Sequence, residues 1–150
     1  MIRAATSDDA QAICDLVNYY AERGRMLHRS LESIYESLRD FLVCKEQERV
    51  VGCVAVSICW KDLGEVRSLA VAPDCQGKGI GRKLVEQAAE VARQIGLRRI
   101  FALTYETKFF ASAGFRVVDR EALPTKVWRD CIYCPRADAC DEIAMILDLT

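Results

Sequence analysis

Hydrophobic and polar positions change period several times along the chain, and each change marks an element. Alternation at the start predicts a short strand over Ile2 to Ala4. Helical spacing follows at Ile13, Leu16, Val17 and Tyr20, with Ser7, Asp8 and Asp9 ahead of them as cap and dipole partners. Arg23-Gly24-Arg25 stops that helix. A second begins near Ser30, with Leu31, Ile34, Tyr35 and Leu38 as its apolar stripe. Phe41 to Lys45 and Arg49 to Trp60 are rich in strand formers and flank the polar turn Glu46-Gln47-Glu48, which predicts a hairpin. Gly64 to Val71 is another strand, closed by Ala72-Pro73-Asp74.

Three glycines follow, at Gly77, Gly79 and Gly81, and then a strongly amphipathic helix. Ile80, Leu84, Ala88, Val91, Ala92 and Ile95 hold one face of it, while Arg82, Lys83, Glu86, Glu90 and Arg93 cover the other. Gly96 ends it. Arg99 to Leu103 reads as a strand, Lys108 to Ala113 as a short helix ended by Gly114, Phe115 to Val118 as a strand, and Ile143 to Leu149 as the last strand. The order predicts a single α/β domain over residues 1–150, built on one central sheet with flanking helices.

Charge and cysteine usage narrow the class. The 21 basic and 22 acidic residues nearly cancel, which argues against a nucleic-acid partner but leaves room for a local basic pocket. The first residues carry no basic-then-apolar leader pattern, and the longest apolar run, Val50 to Trp60, is too short to span a membrane. Cys14, Cys44, Cys53, Cys59 and Cys75 are scattered, which reads as reduced thiols in a cytoplasmic protein rather than a disulfide set.

The stretch from Leu69 to Arg82 carries the chemistry. A strand feeds a glycine-rich turn, which feeds a helix N-terminus. Glycines let the backbone bring N–H groups close to a ligand, and the helix start adds unpaired donors and partial positive charge. Lys78, Arg82 and Lys83 add full charges, so the segment suits a pyrophosphate. It is neither a Walker loop nor a dinucleotide fingerprint, since both spacings are absent. Gln-x-x-Gly-x-Gly at Gln76, Gly79 and Gly81, set between Val71-Ala72-Pro73 and the helix, resembles the acetyl-CoA loop of the GNAT acetyltransferase superfamily. The resemblance covers nearly the whole element order. It implies acetyl-CoA as cosubstrate, with Gln76, Gly77, Lys78, Gly79, Gly81 and Arg82 at the pyrophosphate and the backbone of Leu69 and Val71 along the pantetheine arm. Many relatives carry a tyrosine acid four residues before the glycine at Gly114; here the position is Phe110.

Arg29-Ser30, Gly64-Glu65, Leu69-Ala70-Val71, Phe101-Ala102-Leu103-Thr104 and Leu123-Pro124, taken in order, resemble the acetyltransferase domain of N-acetylglutamate synthases. That likeness implies N-acetylation of an amino acid, glutamate first, as the opening of arginine biosynthesis. It implies Glu65 as the base that deprotonates the amine, and Arg29 and Lys126 as carboxylate-binding residues. Backbone N–H groups near Ser68 or Leu103 are candidates for holding the oxyanion. The sequence departs from the synthases near its last strand, where Glu142 and Ala144 replace an arginine and a serine. The amino-acid-kinase domain of the long synthases has no counterpart in these residues.

Cys131, Cys134 and Cys140 form a compact cysteine group that suggests zinc, but three thiols fall short of the four ligands a structural zinc takes. A redox pair or a packed loop over the acceptor pocket are the other readings, and the packed loop is favoured over a metal. Two further functions stay open: acetylation of another amine (glutamine, another amino acid, a protein N-terminus or a small molecule), and an acyl-CoA sensor without turnover. A homodimer is the default expectation for assembly.

Overall fold

The computed structural model describes residues 1–123 and 142–149. Among the described residues seven strands form one sheet: β1 (Ile2–Ala4), β2 (Phe41–Glu46), β3 (Arg49–Trp60), β4 (Leu63–Val71), β5 (Arg99–Thr104), β6 (Arg116–Val117) and β7 (Ile143–Asp148), in the spatial order β1-β2-β3-β4-β5-β7-β6. The helices are α1 (Ala10–Ala21), α2 (Leu31–Glu36), α3 (Ile80–Gln94) and α4 (Thr107–Ser112). The predicted order of elements is therefore the observed one. Two elements are shorter than their apolar pattern suggested. Helix α2 ends at Glu36, and Leu38 sits in a separate 3₁₀ turn over Leu38–Asp40, still packed on the core. The strand expected at Phe115 to Val118 pairs with β7 only at Arg116 and Val117.

Strand pairing explains where the sheet opens. Among the described strands all neighbours are antiparallel except β4 and β5, which run parallel. Their pairing covers only Leu63↔Arg99, Gly64↔Ile100 and Glu65↔Phe101. Beyond Glu65 the two strands continue without pairing, so the sheet splits at its centre. A bulge in β4 lies on the same stretch. Cys53 opposes Ala70 while Ala55 opposes Arg67, which leaves Ser68 and Leu69 facing Val54 alone. Ser68 absorbs the extra residue at φ 54°, in the left-handed region, and such a bulge bends and twists its strand.

Helices cover both faces. Helix α3 lies close against β3, because Gly52 has no side chain: a Cβ there would meet Leu84 at 2.9 Å and Ile80 at 3.1 Å. Helices α1 and α2 cover the opposite face, where Ile13, Val17 and Ile34 are fully buried against Phe41 and Val43. A smaller cluster of Leu63, Phe101, Leu123, Ala144 and Ile146 closes the β5–β7 end. No helix among the described residues is long and apolar enough to cross a membrane.

Candidate active site

The split between β4 and β5 opens into a cavity of about 1160 Å³ that reaches from the glycine loop to Glu65 and Arg29. Backbone direction along β4 follows from its pairing. The Ala72 N–H donates to the Val51 carbonyl at 2.8 Å, so Ala72 and Ala70 turn their polar groups toward β3. Val71, between them, turns its own into the split. The Val71 carbonyl accepts from the Tyr20 hydroxyl and from the Gln76 amide, the latter at 3.3 Å. The Val71 N–H turns toward the same side.

Gly77 and Gly79 adopt φ 81° and 80°, a conformation that disfavours any side chain, and open space surrounds the position of a Cβ at both. The requirement there is conformational, not steric. Gly79 caps α3, and its carbonyl accepts from the Lys83 N–H at 3.1 Å as the first helical bond. The N–H groups ahead of Lys83 are the unpaired donors of a helix start, aimed at the loop. Arg82 lines the cavity and pairs with Glu86 at 3.4 Å. Lys78 is exposed and lies outside the cavity wall. Gln76 lines the cavity, with its amide engaged by Tyr20 and Val71.

Asp74 steadies the approach to that loop. Its carboxylate takes two hydrogen bonds from the Arg49 guanidinium, at 2.8 and 2.9 Å, which hold its pKa down at about 2. The pair ties the 3₁₀ turn Pro73–Cys75 to the start of β3.

The other half of the cavity holds the polar residues of β4 and the α1–α2 connection. Glu65 and Arg67 lie on the same face of β4, and Arg67 Nε is 3.8 Å from Glu65 Oε1. The Arg29 guanidinium donates to Ser37 Oγ at 2.8 Å and reaches Ser68 Oγ at 3.4 Å, with the Phe41 ring 5.5 Å away. Its backbone is fixed by Asn18, which accepts from the Arg29 N–H at 2.8 Å and donates to the Arg29 carbonyl at 2.7 Å. Arg25 lines the same cavity and forms an ion pair with Glu106. Leu103 contributes from β5, and Glu142 from just ahead of β7. Below the bulge, Cys53 donates to the Ser68 carbonyl at 3.4 Å; burial pushes its pKa up to about 12, which keeps it a thiol.

Glu65, Ser68, Leu69, Val71, Leu103 and Arg29 are thus brought to one cavity, together with Gln76, Gly77, Gly79, Gly81 and Arg82 of the loop. Lys126 and the cysteines at 131, 134 and 140 lie outside the described residues; among those described, no cluster suits a metal ion. Phe110 is buried between the rings of Phe109 and Phe115, both about edge-on, and offers no proton. Asn18 and Tyr20 escaped sequence reading, because both look like ordinary residues of an amphipathic helix.

Residues 10–115, which hold both the glycine loop and the β4–β5 split, match the family model described as the acetyltransferase (GNAT) family. The chain belongs to the GNAT acetyltransferase family. This GNAT chain is 44% identical over 148 residues to an uncharacterized N-acetyltransferase of Chlorobaculum tepidum, covering 99% of this chain and 96% of that one. It is 38% identical over 153 residues to an amino-acid acetyltransferase of Mycobacterium tuberculosis, covering 100% and 85%. Its fold is similar to N-acetylglutamate synthase from Neisseria gonorrhoeae complexed with coenzyme A and N-acetylglutamate, with a TM-score of 0.91 and 32% identity over 100% of this chain. The GNAT chain spans only 35% of that synthase.

Proposed function

We propose that this GNAT protein is a cytoplasmic amino-acid N-acetyltransferase, moving the acetyl group of acetyl-CoA to an α-amino group, with glutamate as the leading acceptor and arginine biosynthesis as its setting. The observation that carries the reading is the single cavity joining the glycine loop to Glu65 and Arg29 through the β4–β5 split. The names of the mycobacterial relative and the Neisseria synthase support the same class.

The pyrophosphate sits at the α3 N-terminus, over the N–H groups released by Gly77 and Gly79. The pantetheine arm takes the place of a missing strand beside Leu69 and Val71. The thioester then enters the split next to Glu65. Glu65 removes a proton from the acceptor ammonium, directly or through a water, and the freed amine attacks the thioester carbonyl. A C–N bond forms and the carbonyl π bond opens to an oxyanion, held by backbone N–H groups near Ser68 or Leu103. The attacking nitrogen gives up its second proton to solvent, collapse breaks the C–S bond, and the departing CoA thiolate takes a proton from water. Arg29, with its backbone clamped by Asn18, meets an acceptor carboxylate, and Lys126 is the second candidate cation. A dicarboxylic acceptor matches such a basic pocket.

A second reading, a different amine as acceptor, is favoured by Glu106 and Glu142, which put further carboxylates on the same cavity wall. Glu65→Gln tests the enzyme reading. Turnover should fall at least a hundredfold while CoA binding by calorimetry stays unchanged, which is the signature of a lost base. Full turnover in that variant removes Glu65 from the mechanism.

A further inference from the structure

Tyr20 stands in the last turn of α1, yet its hydroxyl reaches the far end of β4. It donates to the Val71 carbonyl and accepts from Gln76 Nε2 at 2.6 Å, while the same Gln76 nitrogen lies 3.3 Å from the Val71 oxygen. Three elements meet at this triangle: a helix, the inner edge of the split strand and the first residue of the glycine loop. The Val71 carbonyl is a strand-edge acceptor that β5 no longer pairs. Gln76 immediately precedes Gly77 and Gly79, the two loop positions in left-handed conformation.

A loop with two such glycines has much conformational freedom to lose when it wraps a ligand. An anchor at its entry that holds before the ligand arrives reduces that loss and tightens binding. The Tyr20 ring packs on the main core and its hydroxyl end lines the cavity, so it is rigid at one end and poised at the site at the other. Its edge-on neighbour Tyr19, 5.0 Å away centroid to centroid, limits its swing.

We propose that Tyr20 is a positioning residue for the acetyl-CoA loop, fixing Gln76 and the end of β4 so that the loop is preformed for the pyrophosphate. The proposal rests on the acetyltransferase reading above. Tyr20 sets the affinity for the cosubstrate and leaves the acceptor half to Arg29, which a different α1 residue, Asn18, holds in place.

The test is Tyr20→Phe, which removes one oxygen and keeps the ring. Loss of two linked hydrogen bonds predicts about a tenfold rise in the CoA dissociation constant and in the KM for acetyl-CoA. The acceptor KM, kcat at saturating acetyl-CoA and the thermal midpoint should stay as in the wild type. Tyr20→Phe on a Gln76→Ala background should add little, since both act through one anchor. Unchanged CoA affinity in Tyr20→Phe, or an equal rise in both KM values, overturns the proposal while the acetyltransferase reading stands. Failure of the wild-type chain to bind CoA at all overturns that reading and this proposal with it.

Discussion

Arg67 Nε stands 3.8 Å from Glu65 Oε1 on the same face of β4, and the Glu65 side chain is only 17% exposed. A carboxylate so placed is held near a fixed cation while still lining the cavity. The pairing gives Arg67 two duties in the proposed reaction: orienting the base and adding positive charge where an acceptor carboxylate approaches. Arg67→Gln should therefore raise the acceptor KM and lower kcat, each by about tenfold, in line with a charge-assisted contact. The KM for acetyl-CoA should not move. Steady-state kinetics with each substrate varied in turn separates the two.

Asn18 satisfies both backbone groups of Arg29, at 2.7 and 2.8 Å. Asn18→Ala leaves a part-buried donor and acceptor without that partner, at a cost of about 1–3 kcal/mol, and frees the arginine to drift. A rise in acceptor KM with unaltered CoA affinity is the expected result, read by calorimetry and kinetics together. Equal weakening of both substrates would show that Asn18 supports the whole fold rather than Arg29.

Leu84 is fully buried where α3 meets Gly52 of β3. Leu84→Ala should lower unfolding stability by about 2–5 kcal/mol, from lost apolar burial plus a cavity. Urea denaturation measures it. The folded fraction should still bind CoA, because the helix start at Gly79 is a full turn away.

Asp9 contributes, with Asp74, to the acid dependence of the stability. Burial alone would raise its carboxyl pKa, but the Arg3 guanidinium at 2.8 Å, the Thr6 N–H at 2.8 Å and the Thr6 hydroxyl outweigh that and bring it below the usual value of 3.8. A carboxyl depressed in the folded state contributes stability above its unfolded pKa and loses it as pH falls through the folded value. Unfolding free energy should therefore drop below about pH 4, and Asp9→Asn should flatten that part of the profile. Chemical denaturation from pH 7 to 3 measures both.

Local pattern made most of this molecule legible. The hairpin, the loop glycines and the α3 stripe each depend on neighbours close in sequence, and each is found where the pattern placed it, except that Ile95, assigned to the stripe, caps α3 outside the helix and is exposed. The loop was readable from its strand-to-helix setting, whereas Glu65 and Arg29 stood out only through the resemblance in short motifs, and the cavity lines both. The bulge at Ser68 was not, since one extra residue leaves an apolar strand looking continuous and only its partner reveals the slip. Asn18 and Tyr20 were missed for a different reason. Their partners, Arg29, Val71 and Gln76, lie 11 to 56 residues away, and nothing in helical spacing points to them. Leu38 fitted the α2 stripe, yet the chain turns at Ser37 into the 3₁₀ turn that leads to Phe41 at the start of β2.

Thiol release from acetyl-CoA across a panel of free amino acids, with glutamate and glutamine first, is the most direct measurement. The account predicts rapid release with an amino acid, glutamate leading, and none from acetyl-CoA and enzyme without an acceptor. Silence across every amino acid, from a protein that still binds CoA, would contradict it.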